Sequence, residues 1–318
     1  MNRVAQIIAD FPVGDLEALR LVVANKLRLK IEVIRTDADV ERIADEHEGF
    51  HPALRQRLRH EFLNSTTEGL ALERDDWDPR LFRYLAVIDA RGERAARALF
   101  TAWHEITHLL LHPPQLAFPN FRRTPPQVEI EKDPLESAVD HVAGRLAFYP
   151  PFYGPALEEA IAAEGGLSFR ALDLARETAA PTASLFAAAI GSINHVAIPI
   201  LFVSVKLGLK KAEARAITSP QGAFPFAEPA ANEVLRAVAV IANEAAAGSD
   251  LCIRRNMRVP EQSVLTAAYE APSEVDLEAL EDQSWWETSS TGPLPELPIR
   301  VRARRRGRFV YGLIEAAS

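Results

Sequence analysis

The sequence predicts an α+β fold built as more than one domain. Three observations carry this: a helix-then-strand pattern opens the chain, helical segments fill its middle, and helix-like and strand-like stretches alternate beyond residue 196. At 318 residues the chain exceeds what one ordinary core organises, so two or three domains are expected. Hydrophobic residues make up 48% and charged residues 25%, which suits a packed globular protein rather than a disordered or fibrous one.

Taken in order, residues 16–27 repeat apolar positions at helical spacing, and residues 31–34 follow as a short β-branched strand. Residues 81–90 are apolar on both faces at their centre, as a strand covered on each side should be, and Arg91-Gly92 ends them. Nothing breaks a helix from residue 93 to His112, where Leu99, Trp103, Ile106 and Leu110 form one core-facing stripe. Pro113-Pro114 stops that helix, and a proline-containing loop follows. Asp133-Pro134-Leu135-Glu136 has the N-cap, first-turn proline and third-position acid of a new helix, which should run to about Phe148. The aromatic and proline-rich residues 149–155 close it and mark a domain edge. Residues 156–163, 169–178 and 182–190 read as short packed helices. Residues 198–206 read as a strand, 218–229 as a linker, 232–246 as a helix, and 262–269, 299–304 and 309–314 as strands. The expected division is therefore 1–155, a helical segment 156–195, and an α+β domain 196–318.

Composition narrows the function. The only cysteine, Cys252, can form neither an internal disulfide nor a thiolate metal site, and an unpaired thiol suits a reducing, cytoplasmic compartment. Any metal must be held by histidine and carboxylate. Asp10, Asp15 and Glu17 interrupt the first twenty residues, so a secretory signal is not expected. The longest apolar run, 196–205, is about half of a membrane span, so no membrane association is expected. A net charge of -8 argues against broad attraction to nucleic acid. The local run Arg300, Arg302, Arg304, Arg305, Arg306 and Arg308 alternates with Val301 and Ala303, and the acidic stretch 274–287 is placed to neutralise it. Residues 169–190 have the outline of a helix-turn-helix, yet no lysine or arginine occurs from 177 to 205 to hold a phosphate, so they are read as a packing element.

The chemistry concentrates in His104-Glu105-Ile106-Thr107-His108. Residues four apart share a helix face, so His104 and His108 can aim their imidazoles at one metal ion while Glu105 stands beside it. A catalytic zinc site takes three protein ligands and keeps one position open, so a third ligand is required. His112 lies eight residues beyond His104, about 12 Å along the axis, too far to join both on one straight helix. Glu129 and Glu131 sit in a loop that fixes neither. Glu136 is the better candidate because it stands on the next helix with Asp140 one turn later, where Asp140 can accept the second ring N–H of a ligating histidine. Glu136 could instead close a capping box with Asp133. Zinc is the expected ion, with manganese as the alternative.

The run from Ala102 to His112, followed by Glu136-x-x-x-Asp140-x-Val142-Ala143 and the Tyr149-Pro150 stop, resembles the ImmA/IrrE metallopeptidases. Asp140 and Val142 stand where that family more often has Asn and Phe, and one extra residue precedes Pro150. The resemblance covers about residues 15–195; the length and layout beyond are similar to the IrrE branch. It implies a zincin-like peptidase domain with a small sheet and an active-site helix, and a GAF-like carboxy-terminal sensor or regulatory domain. It further implies a zinc-dependent endopeptidase that cuts a helix-turn-helix transcriptional repressor in a stress or mobile-element response. In that scheme His104, His108 and Glu136 bind zinc, which acidifies a water, and Glu105 is the general base and acid. His141, Arg145, Tyr149 and Tyr153 are all candidates for the oxyanion-stabilising donor. Extended substrate would pair with a strand edge, and residues 69–74 are a candidate edge. The other classes are a metal-containing sensor without peptidase activity and a nucleic-acid-binding regulator. Glu105 argues against the sensor, because a structural metal site has no use for a carboxylate beside its open position.

Overall fold

The computed structural model describes residues 6, 9, 13–64, 67–74, 78, 80–111, 120–123, 134–209, 233–288 and 292–317. The fold is α+β, and the chain divides into two compact units, Met1–Glu159 with Leu174–Gly191 and Ala160–Asp173 with Ser192–Ser318. Among the described residues, no helix is long and apolar enough to cross a membrane.

The first unit is organised by a four-stranded sheet in the order β1 (Leu29–Ile34), β3 (Tyr84–Asp89), β2 (Thr67–Glu73), β4 (Asn120–Arg123). Helix α1 (Leu16–Lys26) precedes β1, its N-terminus capped by Asp15, which accepts from Ala18 N at 2.7 Å. β1 runs parallel to β3, and β2 is antiparallel to both of its neighbours. Two helices, α2 (Asp37–Glu46) and α3 (Leu54–Leu63), cover one face, where Ile34, Leu70, Leu72, Leu85 and Val87 meet Val40, Ile43, Leu54, Leu58 and Phe62. Each such side chain contributes roughly 1.5–3 kcal/mol on burial. Strand alternation turns Gly69, Ala71 and Ala86 to the opposite face, where helix α4 (Ala98–Leu111) packs. β3 is buried along its whole length, as its two-faced apolar pattern requires.

The predicted helix from residue 93 begins instead as a 3-10 turn, Gly92–Arg97. Side chains three apart nearly eclipse in a 3-10 turn, which places Arg91, Arg94 and Arg97 in one row. Arg91 and Arg94 bind the buried Asp89, and Arg97 binds the buried Glu68. Burial works to raise the Asp89 pKa, but the hydrogen bonds from Arg91 and Arg94 outweigh it and hold the carboxyl below its usual range. This row ties the start of α4 to the ends of β2 and β3. Beyond it, α5 (Pro134–Ala147) ends before Tyr149 as expected; of the residues 149–155 expected to close it and mark a domain edge, 150–155 open the next helix, α6 (Pro150–Glu164). Pro150 and Pro151 occupy a first turn, where a helix does not use their missing N–H groups. Helices α7 (Phe169–Ala179) and α8 (Leu185–Ile193) follow, close to their expected bounds.

The second unit carries a five-stranded antiparallel sheet in the order β6 (Val234–Ala242), β5 (Ile200–Gly208), β11 (Phe309–Ala316), β10 (Pro298–Arg306), β7 (Asp276–Asp282). Two short elements, α9 (Glu244–Ala247) and α10 (Val264–Glu270), accompany it, as does a small hairpin of β8 (Glu287–Thr288) and β9 (Gly292–Pro293). One core joins Leu201, Val203, Val301, Ala303 and Ile314 of the sheet to Val264, Leu265 and Ala268 of α10. Two expectations are corrected here. Residues 232–246 are mainly strand, because β6 pairs with β5 from Leu201↔Ala242 to Gly208↔Val234 and its Val and Ile residues suit the pleat. Residues 262–269 are helical, because Ser263 caps Leu265 N and Val264, Leu265 and Ala268 form one buried helical face. The arginine row of β10 is ion-paired within the unit: Arg302 with Glu278 and Glu315 at 2.9 Å each, Arg304 with Asp173 and Asp276, and Arg306 with Glu274 at 3.3 Å. The expected linker 218–229, along with His112, Glu129, Glu131 and Asp133, lies outside the described residues.

Candidate metal centre

Helix α4 is buried all round from Thr101 to Leu109, and not along one stripe alone, because the sheet covers one side and α5 another. Into that buried stretch the sequence puts two imidazoles and a carboxylate, His104, Glu105 and His108, exposed by 2%, 0% and 4%. Such groups are costly to bury unless they have polar partners. Helix α5 supplies them. Glu136, in its first turn, faces both histidines, with Oε2 at 3.3 Å from His104 Nε2 and Oε1 at 3.4 Å from His108 Nε2. One turn later Asp140 accepts a hydrogen bond from His104 Nδ1 at 3.0 Å.

That last bond fixes a tautomer. A carboxylate only accepts, so Nδ1 of His104 carries the proton and, in the neutral ring, Nε2 keeps its lone pair. This lone pair points into a space shared with His108 Nε2, 3.0 Å away, and with the Glu136 carboxylate. Three electron-rich groups converging at 3.0–3.4 Å repel one another unless a proton or a metal ion lies between them, and their ligand atoms are close enough to hold one metal ion. Ligands bound to zinc at about 2.0–2.1 Å with tetrahedral angles lie about 3.3–3.4 Å apart; the two histidine–Glu136 separations match this, and the histidine–histidine separation of 3.0 Å is shorter. Two imidazoles and one carboxylate are also a donor set that zinc accepts, and manganese tolerates. In the metal-free chain a proton on Nε2 of His104, and then of His108, is donated to Glu136; that hydrogen bonding outweighs desolvation and holds the carboxyl well below the usual carboxylate range, in the charged form a ligand needs.

Glu105 projects to a different side of α4. It lies one turn after Thr101, and both pack on β2 at Gly69: a Cβ there would come 2.6 Å from Thr101 Cγ2 and 3.0 Å from Glu105 Oε1. The sequence reading overlooked Gly69. Its signal was the alternation Gly69-Leu70-Ala71-Leu72, small residues on one face and large on the other. A second correction concerns the cleft edge. Residues 69–71 are interior, because β4 pairs with β2 at Gly69↔Arg122, Leu70↔Phe121 and Ala71↔Asn120, which makes β4 the outer strand on that side among the described strands, whereas Leu72 and Glu73 pair with β3 alone. Of the four oxyanion candidates, His141 and Arg145 are exposed on α5. Tyr149 and Tyr153 are buried, beside Phe152 and Phe148 respectively.

Among the described residues a second group, Glu32, Glu46 and His47, also gathers possible ligand atoms. Arg42 already binds Glu46 at 2.7 Å and lies 3.8 Å from Glu32, and Lys30 is 3.6 Å from Glu32. Its two negative charges are thus matched by two cations, and His47 Nε2 donates to Glu32 Oε1 at 3.1 Å within the same ion-pair network. Among the described residues, no lysine or arginine pairs with Glu136. In comparisons with known proteins, no protein-family model matches this chain and no curated sequence matches it.

Proposed function

We propose that this chain is a zinc-dependent metalloendopeptidase of the ImmA/IrrE type that cuts a helix-turn-helix repressor in the cytoplasm. The observation that carries the reading is the convergence of His104, His108 and Glu136 on one ion-sized space, with the tautomer of His104 fixed by Asp140 and the buried Glu105 carboxylate beside it on the same helix. A small mixed sheet with α4 against one face, and a third ligand from the following helix, supports a zincin-like arrangement for the first unit. A GAF-like, regulatory role for the second unit rests on the family resemblance and is compatible with its antiparallel sheet.

Zinc held by these three residues supplies Lewis acidity to a scissile carbonyl and to water. The remaining steps belong to the chain. Glu105 takes the proton of the attacking water and returns it to the leaving amine. Asp140 holds His104 in the Nδ1–H tautomer throughout. The backbone of the edge strand β4 aligns an extended substrate segment by strand addition. Such pairing is blind to sequence, so selection of one repressor falls to contacts beyond the cleft.

The test is to incubate wild type and Glu105→Gln with helix-turn-helix repressors and follow intact mass. The wild type should cut one repressor at a single extended site, and the variant should retain zinc and repressor while cleavage drops by orders of magnitude. Equal cleavage by both forms, or indiscriminate digestion by the wild type, would contradict the proposal.

A further inference from the structure

Between helix α4 and strand β2 the spacing is set by small residues, Ala71 and Ala86 in direct cross-strand register and Gly69 at the next helix-facing position of β2. Alanine is already small enough for a helix to lie close to a sheet. The residue to explain is the one that has no side chain at all. Glycine in a strand interior is unfavourable, and it persists where something must approach the backbone closely. At Gly69 two groups do so, Thr101 and Glu105, one helical turn apart on α4.

We propose that Gly69 is a positioning residue, whose bare backbone is the seat on which the Glu105 carboxylate rests and which fixes the direction that carboxylate takes. The proposal rests on the reading of Glu105 as the general base. Oε1 of Glu105 would stand 3.0 Å from a Cβ at position 69 and its Cδ 3.6 Å away, so the carboxylate lies over the strand backbone itself. The seat is held from two sides. Glu68, the extra residue of a β-bulge between Thr67 and Gly69, is buried and ion-paired with Arg97 at the start of α4. Bulges of this kind re-aim a strand beside a site. Gly69 is also paired directly to the edge strand, opposite Arg122 of β4. The same backbone therefore supports the general base on one side and the substrate-aligning strand on the other, and couples the position of one to the other.

The geometry separates this role from plain helix spacing. A Cβ at 69 collides with the Thr101 methyl at 2.6 Å, well inside the roughly 3.5–4.0 Å at which carbons rest, and that collision alone would push the helix away. Thr101 Oγ1 makes no hydrogen bond among the described residues, so Thr101→Ala removes the collision without removing a bond. Glu105 would still meet the new methyl at 3.0 Å.

The experiment compares wild type, Gly69→Ala, Thr101→Ala and the double variant, each loaded with zinc, by thermal unfolding, zinc content, crystal structure and cleavage of the repressor that the wild type cuts. Gly69→Ala alone should lower the unfolding midpoint. The double variant should recover the midpoint and full zinc, yet show the Glu105 carboxylate displaced by a few tenths of an ångström or turned to another rotamer, with kcat down about tenfold and KM unchanged. A double variant whose Glu105 sits as in the wild type, or whose kcat recovers with its stability, would overturn the assignment, as would loss of zinc, which would mean that the whole helix had moved. Should the wild type cut no repressor, the peptidase reading fails, while the crystal structures still decide whether Gly69 seats Glu105.

Discussion

Removing the Asp140 carboxylate measures what a charged acceptor contributes behind an imidazole proposed to bind metal. The bond from His104 Nδ1 to Asp140 Oδ1 is 3.0 Å, and the His104 side chain is only 3% exposed, so water replaces the carboxylate poorly. A hydrogen bond to a charged group contributes about 1.5–3 kcal/mol. Loss of an outer partner of a ligating histidine typically costs 10–100-fold in metal affinity, and at about 1.4 kcal/mol per tenfold the two figures agree. Asp140 itself is 24% exposed, which moderates its field. Asp140→Asn keeps an acceptor oxygen and loses the charge, so zinc affinity should fall about tenfold; Asp140→Ala loses both and should approach a hundredfold. Competition against a chromogenic chelator at neutral pH gives the dissociation constants, and urea unfolding of the metal-free proteins controls for a folding defect. A zinc Kd for Asp140→Ala within twofold of the wild type would refute the reasoning.

Two further outcomes concern the second unit. Asn243 is buried and serves five backbone groups: its amide donates to the carbonyls of Ile193, Val196 and Ile198 at 3.2, 3.0 and 2.8 Å, and its oxygen accepts from Ile200 N and Ala246 N. Ile200 N and Ala246 N, both on buried residues, lose their shared acceptor, and at about 1–3 kcal/mol per buried group left without a partner Asn243→Ala should cost about 2–6 kcal/mol in denaturant unfolding; a loss below about 1 kcal/mol would show that water or rearrangement replaces the amide. Burial raises the Glu281 pKa, against hydrogen bonds from Val264 N at 2.7 Å and Ser263 Oγ at 3.1 Å. The folded state thus binds this proton more tightly than the unfolded chain, so its contribution is fully present below the unfolded pKa and is lost as pH rises through the raised value. Unfolding free energies of wild type and Glu281→Gln should therefore diverge in favour of the variant as pH rises above the usual glutamate range, and parallel pH profiles would count against this.

What could be read from the sequence was whatever local spacing decides. His104 and His108 share a face because they are four apart on a helix, and Glu136 and Asp140 share one for the same reason, so the grouping needed only two helices to meet. The two-faced apolar run that became β3 was equally explicit. The misread stretches are those where a distant partner decides. Val234-Leu-Arg-Ala-Val-Ala-Val-Ile-Ala contains good helix formers, and becomes strand through pairing with β5. Val264-Leu265-Thr266 favours strand locally, but the Ser263 cap and the core under α10 make it helix. The 3-10 turn before α4 depends on Asp89 and Glu68, which lie on two strands that the arginine spacing alone does not reveal. β2 is interior only because a four-residue strand, itself unanticipated, pairs beside it.

The central claim is that His104, His108 and Glu136 hold one metal ion, and elemental analysis of the purified protein tests it most directly. Zinc should be present at about one per chain, and His108→Ala, prepared in parallel, should lose most of it, since two ligands remain where a catalytic zinc takes three. Full zinc stoichiometry in His108→Ala would place the metal elsewhere and contradict the account.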